Sequence, residues 1–214
     1  MPRKKYKPTS VFPYHITARC INKEWFNIPL PQVWEIFSDY LFFIHHAFDV
    51  KIHSFVLMNN HFHLILSTPE ANLCQTMNYF MRETSRQFGL ASGRINQIYG
   101  GPYFWSQLRS EIYYGHAYKY VYRNPVEGGL SLKVEDYTFS TLHALIGKSK
   151  TIIPILEDTL LFSDVESNMK WLNADYKSQN YKLEIKMALR KNQFQFGRDK
   201  DRNPSILEND FYLS

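Results

Sequence analysis

The 214-residue chain has little of several things. Two cysteines, Cys20 and Cys74, are too few for a disulfide framework or a cysteine-rich zinc site, and a reducing compartment is the simpler expectation. Long apolar runs are missing. The greasiest stretch, Tyr40 to Ala47, is far shorter than a membrane span and contains His45 and His46. The start carries Arg3, Lys4, Lys5 and Lys7 with no apolar segment behind them, which argues against a secretory leader. A soluble, cytoplasmic protein is expected. No internal repeat or low-complexity tract is visible, and 44% hydrophobic with 21% charged residues excludes disordered and fibrous classes.

Aromatic residues are plentiful: 15 Tyr, 16 Phe and 4 Trp supply material for a core and for stacking on bases. The 25 Lys and Arg against 20 Asp and Glu give a net charge of +5, which favours a polyanionic partner. Residues 1–9 read as a basic arm. Val11 to Cys20 reads as a first strand, and Gln32 to Phe48 places Val33, Ile36, Phe37, Tyr40, Leu41 and Ile44 at helical spacing. Lys51 to Met58 and His61 to Ser67 are strand-like runs around Asn59-Asn60, a hairpin signal because asparagine tolerates positive φ. A second helix is expected from Ala71 to about Phe88, a strand over Tyr103 to Ile112, and a helix from Gly115 to Asn124 stopped by Pro125. The order β-α-β-β-α-β-α argues for an α+β sandwich, one sheet backed by helices. A boundary is placed near 147. Beyond it, Thr151 to Phe162 and Asp164 to Asn192 read as a mainly helical C-terminal extension (148–196), and 197–214 as a charged tail.

Two signals carry chemistry. In His61-Phe62-His63, strand alternation turns both imidazoles to one face, about 6.6–7 Å apart along the backbone, while Phe62 faces the core. Such a pair can converge on one metal ion, although eight histidines in the chain produce a His-x-His readily by chance. In Tyr120-Val121-Tyr122-Arg123-Asn124-Pro125, Tyr120 and Asn124 are i and i+4 on one helical face. Asn124 stands at the helix end with an amide oxygen able to act as a ligand. A phenol with an unperturbed pKa of about 10 needs a metal or a general base to act as a nucleophile. Read blandly, Tyr118, Tyr120 and Tyr122 are aromatic packing on a helix.

The combination is more specific than its parts. Met58-Asn59-Asn60-His61-Phe62-His63-Leu64-Ile65-Leu66 resembles the HUH signature of single-tyrosine transposases, in which a bulky hydrophobic residue separates two histidines. The segment from Tyr120 to Leu130 resembles the Tyr-x-x-x-Asn-Pro-Val…Gly-Leu element of their REP-associated branch. Gly100-Gly101-Pro102-Tyr103-Phe104-Trp105-Ser106-Gln107-Leu108-Arg109 is similar to that branch's Gly-x-x-aromatic-Trp segment. Tyr137-Thr138-Phe139-Ser140-Thr141 stands in the place of its aromatic-Ser-Ser element, and Tyr14 to Arg19 matches the opening strand. The resemblance spans about residues 12–145, and assigns 10–147 to a transposase domain.

The resemblance implies a ferredoxin-like or RRM-like core with His61 and His63 as metal ligands, Asn124 as third ligand and Tyr120 as nucleophile. Histidine pairs by themselves favour zinc or manganese; the resemblance implies Mg²⁺ or Mn²⁺. The phenolate would attack phosphorus in single-stranded DNA, giving a 5′-phosphotyrosine and a free 3′-OH that can reverse the step and join strands. The implied substrate is a short palindrome folded into a hairpin, and the implied location is nucleoid-associated. Monomer and homodimer stay open. At about 100° per residue, Tyr122 points nearly opposite Tyr120, and Tyr118 is well off its face. His15, His45, His46, His53 and His143 read as structural or surface residues, and the place of His116, one turn before Tyr120, is open. Arg19, Arg109 and Arg123 are candidate phosphate contacts, since guanidinium groups suit phosphate. Arg3, Lys4, Lys5, Lys7, Lys182, Lys186, Arg190 and Lys191 offer salt-dependent attraction to DNA. Two rival readings are a hairpin-binding module without catalysis and a hydrolase in which the histidines activate water. The hydrolase lacks an obvious carboxylate base or third histidine at ligand spacing.

Overall fold

A computed structural model describes residues 8–95 and 97–214, so the basic arm residues Arg3, Lys4, Lys5 and Lys7 lie outside the described residues. The core elements are β1 (Tyr14–Arg19), α1 (Leu30–Phe48), β2 (Lys51–Leu57), β3 (His61–Ser67), α2 (Leu73–Ser92), β4 (Phe104–Gln107) and α3 (Glu111–Glu127), in the order read from the sequence. The four strands pair antiparallel in the order β2-β3-β1-β4, a ferredoxin-like arrangement within the α+β class.

Strand alternation sorts the side chains between two layers. Tyr14, Ile16 and Ala18 of β1 join Phe62, Leu64 and Leu66 of β3 in the layer of α1 and α2. There Phe37 stands at the centre, its ring 5.1–5.8 Å from those of Phe26, Phe55, Phe62, Phe80 and Phe88. Burying each such ring contributes roughly 1.5–3 kcal/mol, so this face of the sheet is fixed, and with it the register of the other. His15, Thr17 and Arg19 of β1 and His61 and His63 of β3 are thereby turned to the opposite face, over which α3 packs.

Several boundaries differ from the sequence expectation. β1 begins at Tyr14 rather than Val11, because Pro13 has no N–H for the ladder. The fourth strand stops at Gln107, and Ser110 caps α3 by accepting from the Tyr113 N–H at 3.2 Å. Pro125 does not stop α3. Its missing N–H falls in the last turn, which closes through Gly128 N–H to Asn124 O at 2.9 Å and Leu130 N–H to Pro125 O at 2.8 Å. The Asn59-Asn60 hairpin forms without positive φ at either residue. Asn60 instead uses its side chain, donating to Lys23 O at 2.7 Å.

Past residue 147 the chain is less helical than expected at first. Ile155 bridges in parallel to Ile52 of β2, and Leu156 N–H donates to Ile52 O at 2.7 Å, an extended course that Pro154 favours. Helix α4 (Thr141–Leu145) precedes this stretch, and α5 (Thr159–Ser163), α6 (Val165–Asn173) and α7 (Gln179–Ala188) follow it. Tyr118, Val121 and Tyr122 of α3 share one apolar cluster with Leu161, Leu172, Ile185, Phe194 and Leu207. The extension therefore packs on α3 and the sheet core, and the expected charged tail is also anchored. Phe211 lies 5.3 Å from the Trp171 ring, and Lys119 Nζ donates to Ser214 O at 2.7 Å.

Candidate active site

Between α3, the exposed end of the sheet and α7 lies a cleft of about 880 Å³. His61, His63, Tyr120 and Asn124 all line it, so the structure brings the four together. The sheet supplies the histidines at adjacent positions of one face, with ring centroids 5.1 Å apart. Helix α3 supplies the other two: the Tyr120 ring stands edge-on to His63 at 5.5 Å. The Asn124 amide nitrogen donates to Tyr120 O at 2.6 Å, which commits one end of the amide to the helix and leaves its oxygen for the cleft. That amide also bears on the His63 ring and on the Tyr120 hydroxyl.

Both imidazoles are oriented from behind. His61 Nδ1 lies 2.8 Å from Asn60 Oδ1, an acceptor, so Nδ1 carries the proton and Nε2 keeps its lone pair. His63 Nδ1 lies 2.9 Å from His15 Nε2, and the two rings stack at 5.2 Å. His63 Nε2 is buried and has no hydrogen-bond partner among the described residues. Burial holds His61 down to about 4, aided by the charge of Arg19. It holds His15 down to about 3, and His63 well below the usual histidine range, where His61, His15 and Arg19 add to the effect. All three rings are therefore neutral near pH 7, the form that ligates metals. An orphaned, buried, neutral nitrogen beside a second oriented one and an amide oxygen fits a divalent cation. Among the described residues no group of three or more His, Cys, Asp or Glu side chains could hold a metal, so the donor set here is two imidazoles and an amide.

Burial raises the Tyr120 phenol above its ordinary value, while Arg190, Arg19 and Asn124 pull it back. The rim is basic. Arg19, Lys23, Lys182, Lys186 and Arg190 line the cleft against one acid, Glu127, which already pairs with Arg123 at 2.9 Å and with Lys182. Tyr118 and Tyr122 turn inward: Tyr118 donates to Asp158 at 2.5 Å and the Tyr122 hydroxyl meets Thr141 at 3.1 Å, both buried.

One assignment changes, and two more residues find their places. Arg123 is no phosphate contact. Its side chain is 2% exposed, and its NH1 donates to the carbonyls of Asn173 and Ala174 at 2.7 and 2.8 Å, capping the end of α6. Arg109 is exposed, donates to Gln107 Oε1 at 2.5 Å and does not line the cleft. His15, read as structural or surface, stands behind His63. The signal for it was available: in antiparallel pairing with β3, a residue two places before the one opposite His63 is its diagonal neighbour. His116 is buried on α3, bonded to Leu207 O at 2.8 Å, away from the cleft. Tyr176, half-buried in the cleft wall with a buried hydroxyl that has no hydrogen-bond partner among the described residues, had no sequence signal.

No described helix is long and apolar enough to cross a membrane. A REP-associated tyrosine transposase of Escherichia coli (strain K12) is 32% identical over 114 residues, 53% of this chain and 67% of that protein. A solved structure of a REP-associated tyrosine transposase bound to a REP hairpin superposes with a TM-score of 0.57 at 22% identity, covering 71% of this chain and 90% of that one, which agrees with the fold. The model of the family described as "Transposase IS200 like" matches residues 9–122, from before the first strand to the middle of α3. With more than half of its length in that match, the chain belongs to the IS200-like transposase family.

Proposed function

We propose that the protein cleaves and rejoins single-stranded DNA at hairpin-forming palindromes through a covalent link to Tyr120. The observation that carries this reading is the convergence of His61, His63, Asn124 and Tyr120 in one cation-rimmed cleft, with His63 Nε2 buried and unpartnered. His61, His63 and Asn124 would hold the metal ion, Mg²⁺ or Mn²⁺. When bound, that ion supplies charge neutralisation at a non-bridging phosphate oxygen. His15 and Asn60 fix the imidazole orientations, and the basic rim draws the backbone in. The Tyr120 hydroxyl gives its proton to water as its oxygen attacks phosphorus, the bond from phosphorus to the 3′ oxygen breaks, and that oxygen leaves as a hydroxyl after taking a proton from water. The new ester is a 5′-phosphotyrosine, so the bond energy is retained and a 3′-OH can reverse the step. That the E. coli relative is a REP-associated transposase, and that the solved neighbour binds a REP hairpin, supports hairpin DNA as the substrate class.

The test is covalent capture. The protein is incubated with a 3′-labelled library of single-stranded hairpins and Mn²⁺, denatured and resolved on a gel. A slow-migrating labelled band that disappears with chelator and in Tyr120→Phe is expected. A band that persists in Tyr120→Phe would overturn the nucleophile, and hairpin binding with no band under any metal would favour a binding module instead.

A further inference from the structure

Phe104 is the first residue of β4, an edge strand, and 68% of it is exposed. Its neighbour Trp105 points the other way and packs edge-on against Tyr14 at 5.8 Å. Phe104 sits opposite Thr17 of β1, and Thr17 sits opposite His63 of β3, so the three form one row across the sheet on the cleft face. Two strand spacings separate the backbones of Phe104 and His63, roughly 10 Å. Among the described residues no aromatic ring packs on Phe104. It lines the cleft beside Gly101 and Pro102, and the wall facing the sheet carries Lys186 and Arg190. A large apolar ring left open inside a cation-rimmed cleft is costly to expose to water and suits a ligand that is anionic along one edge and aromatic along the other. A single strand of DNA has that chemistry.

We propose that Phe104 is a stacking shelf for one unpaired base next to the scissile phosphate at the His61 and His63 end of the cleft, with Lys186 and Arg190 on the strand's backbone side. The proposal rests on the reading of the cleft as a single-strand site and adds the subsite that holds the neighbouring nucleotide. Stacking is tolerant of base identity, so this shelf positions the strand without selecting sequence.

The experiment is abasic scanning in a Tyr120→Phe background with chelator present, so that binding is read without chemistry. Fluorescence anisotropy follows a labelled hairpin oligonucleotide with unpaired flanks, and a panel of the same oligonucleotide with one abasic position each. A stacked base is worth about 1–3 kcal/mol, so Phe104→Ala should weaken binding of the intact strand about five- to 150-fold. One abasic position should weaken the Phe104-containing protein similarly and make Phe104→Ala cost nothing further. Phe104→Trp should bind as tightly as Phe104, and Phe104→Leu, which keeps apolar bulk and lacks a π face, should behave like Phe104→Ala. Equal binding by Phe104→Ala, or an equal loss at every abasic position, overturns the shelf and leaves the strand-transfer reading standing. If the Phe104-containing protein binds no single-stranded oligonucleotide, the reading of the cleft itself falls.

Discussion

Replacing Arg123 separates two accounts of one residue. Sequence chemistry makes it a phosphate contact; the structure makes it a rivet between α3 and α6. Its guanidinium donates to Asn173 O at 2.7 Å, Ala174 O at 2.8 Å and Leu172 O at 3.3 Å, and pairs with Glu127 at 2.9 Å and Asp175 at 2.5 Å. Asp175 is 95% exposed, so its share is screened and close to nothing. The carbonyl bonds are another matter, because a buried cation closes the end of a helix and its removal strands those acceptors. Arg123→Met should cost roughly 3–5 kcal/mol, in the range for breaking a buried ionic cluster. For a chain of this size that is a fall in Tm of about 6–20 °C. The assay is urea unfolding followed by tyrosine and tryptophan signal, run beside hairpin binding at several salt concentrations. Loss of one phosphate contact would reduce the salt slope by about 0.7 for a single strand. The expected result is reduced stability with an unchanged slope, measured below the new transition. An Arg123→Met protein of undiminished stability and shallower salt slope would refute the rivet.

Gly115→Ala should destabilise by about 1–3 kcal/mol, because its Cβ would lie 2.2 Å from Cγ of Phe211 on the segment packed against α3; the double variant with Phe211→Ala should show less than the sum in denaturant melts. Acid should destabilise the fold between about pH 6.5 and 4. Burial holds His15 to about 3 and His53, His61 and His116 each to about 4. With folded values below unfolded ones, the unfolded chain binds the extra protons, so stability present above pH 6.5 is lost as pH falls; a urea midpoint flat from pH 7 to 4.5 would contradict this. Mn²⁺ should raise the Tm of Tyr120→Phe in a concentration-dependent way, and His63→Ala should abolish the shift in a calorimetric scan.

Much of the sheet and of α1 was legible because their signals are local. The apolar spacing of Val33, Phe37, Leu41 and Ile44 and the alternation around His61-Phe62-His63 each report one element and one face. Tyr120 and Asn124 were paired by helical spacing alone, and they do share the cleft. What escaped depends on contacts distant in sequence. Arg123 looks like any basic residue until α6, fifty residues later, brings its carbonyls to it. His15 and His63 are 48 residues apart and meet only through the β1–β3 register. In the sequence Asn60 is turn chemistry. Its side chain instead ties the hairpin to Lys23 and holds the His61 ring, a role that backbone propensity cannot reveal.

The division of α3 into two faces explains why the C-terminal segment belongs to the site. Tyr118, Tyr122 and Arg123 face inward, and they are partnered by Asp158, Thr141 and the end of α6. Tyr120, Asn124 and Glu127 face the cleft, where Glu127 ties Lys182 of α7 to the helix. The family match ends at residue 122, so the wall carrying Lys182, Lys186 and Arg190 is built by sequence outside it. These cations are held opposite the sheet only while α7 packs on α3, and that packing rests on the apolar cluster joining Val121 to Ile185 and Leu189. On the proposed function, a DNA strand in the cleft would meet the His61 and His63 face of the sheet and a basic helix, with their spacing set by the same helix that carries Tyr120. On that same reading, loosening α7 would weaken DNA capture and misplace the tyrosine together, so substitutions in the Val121, Ile185 and Leu189 cluster should impair both without touching a nucleotide, whereas Arg123 holds α6 and leaves the basic wall in place.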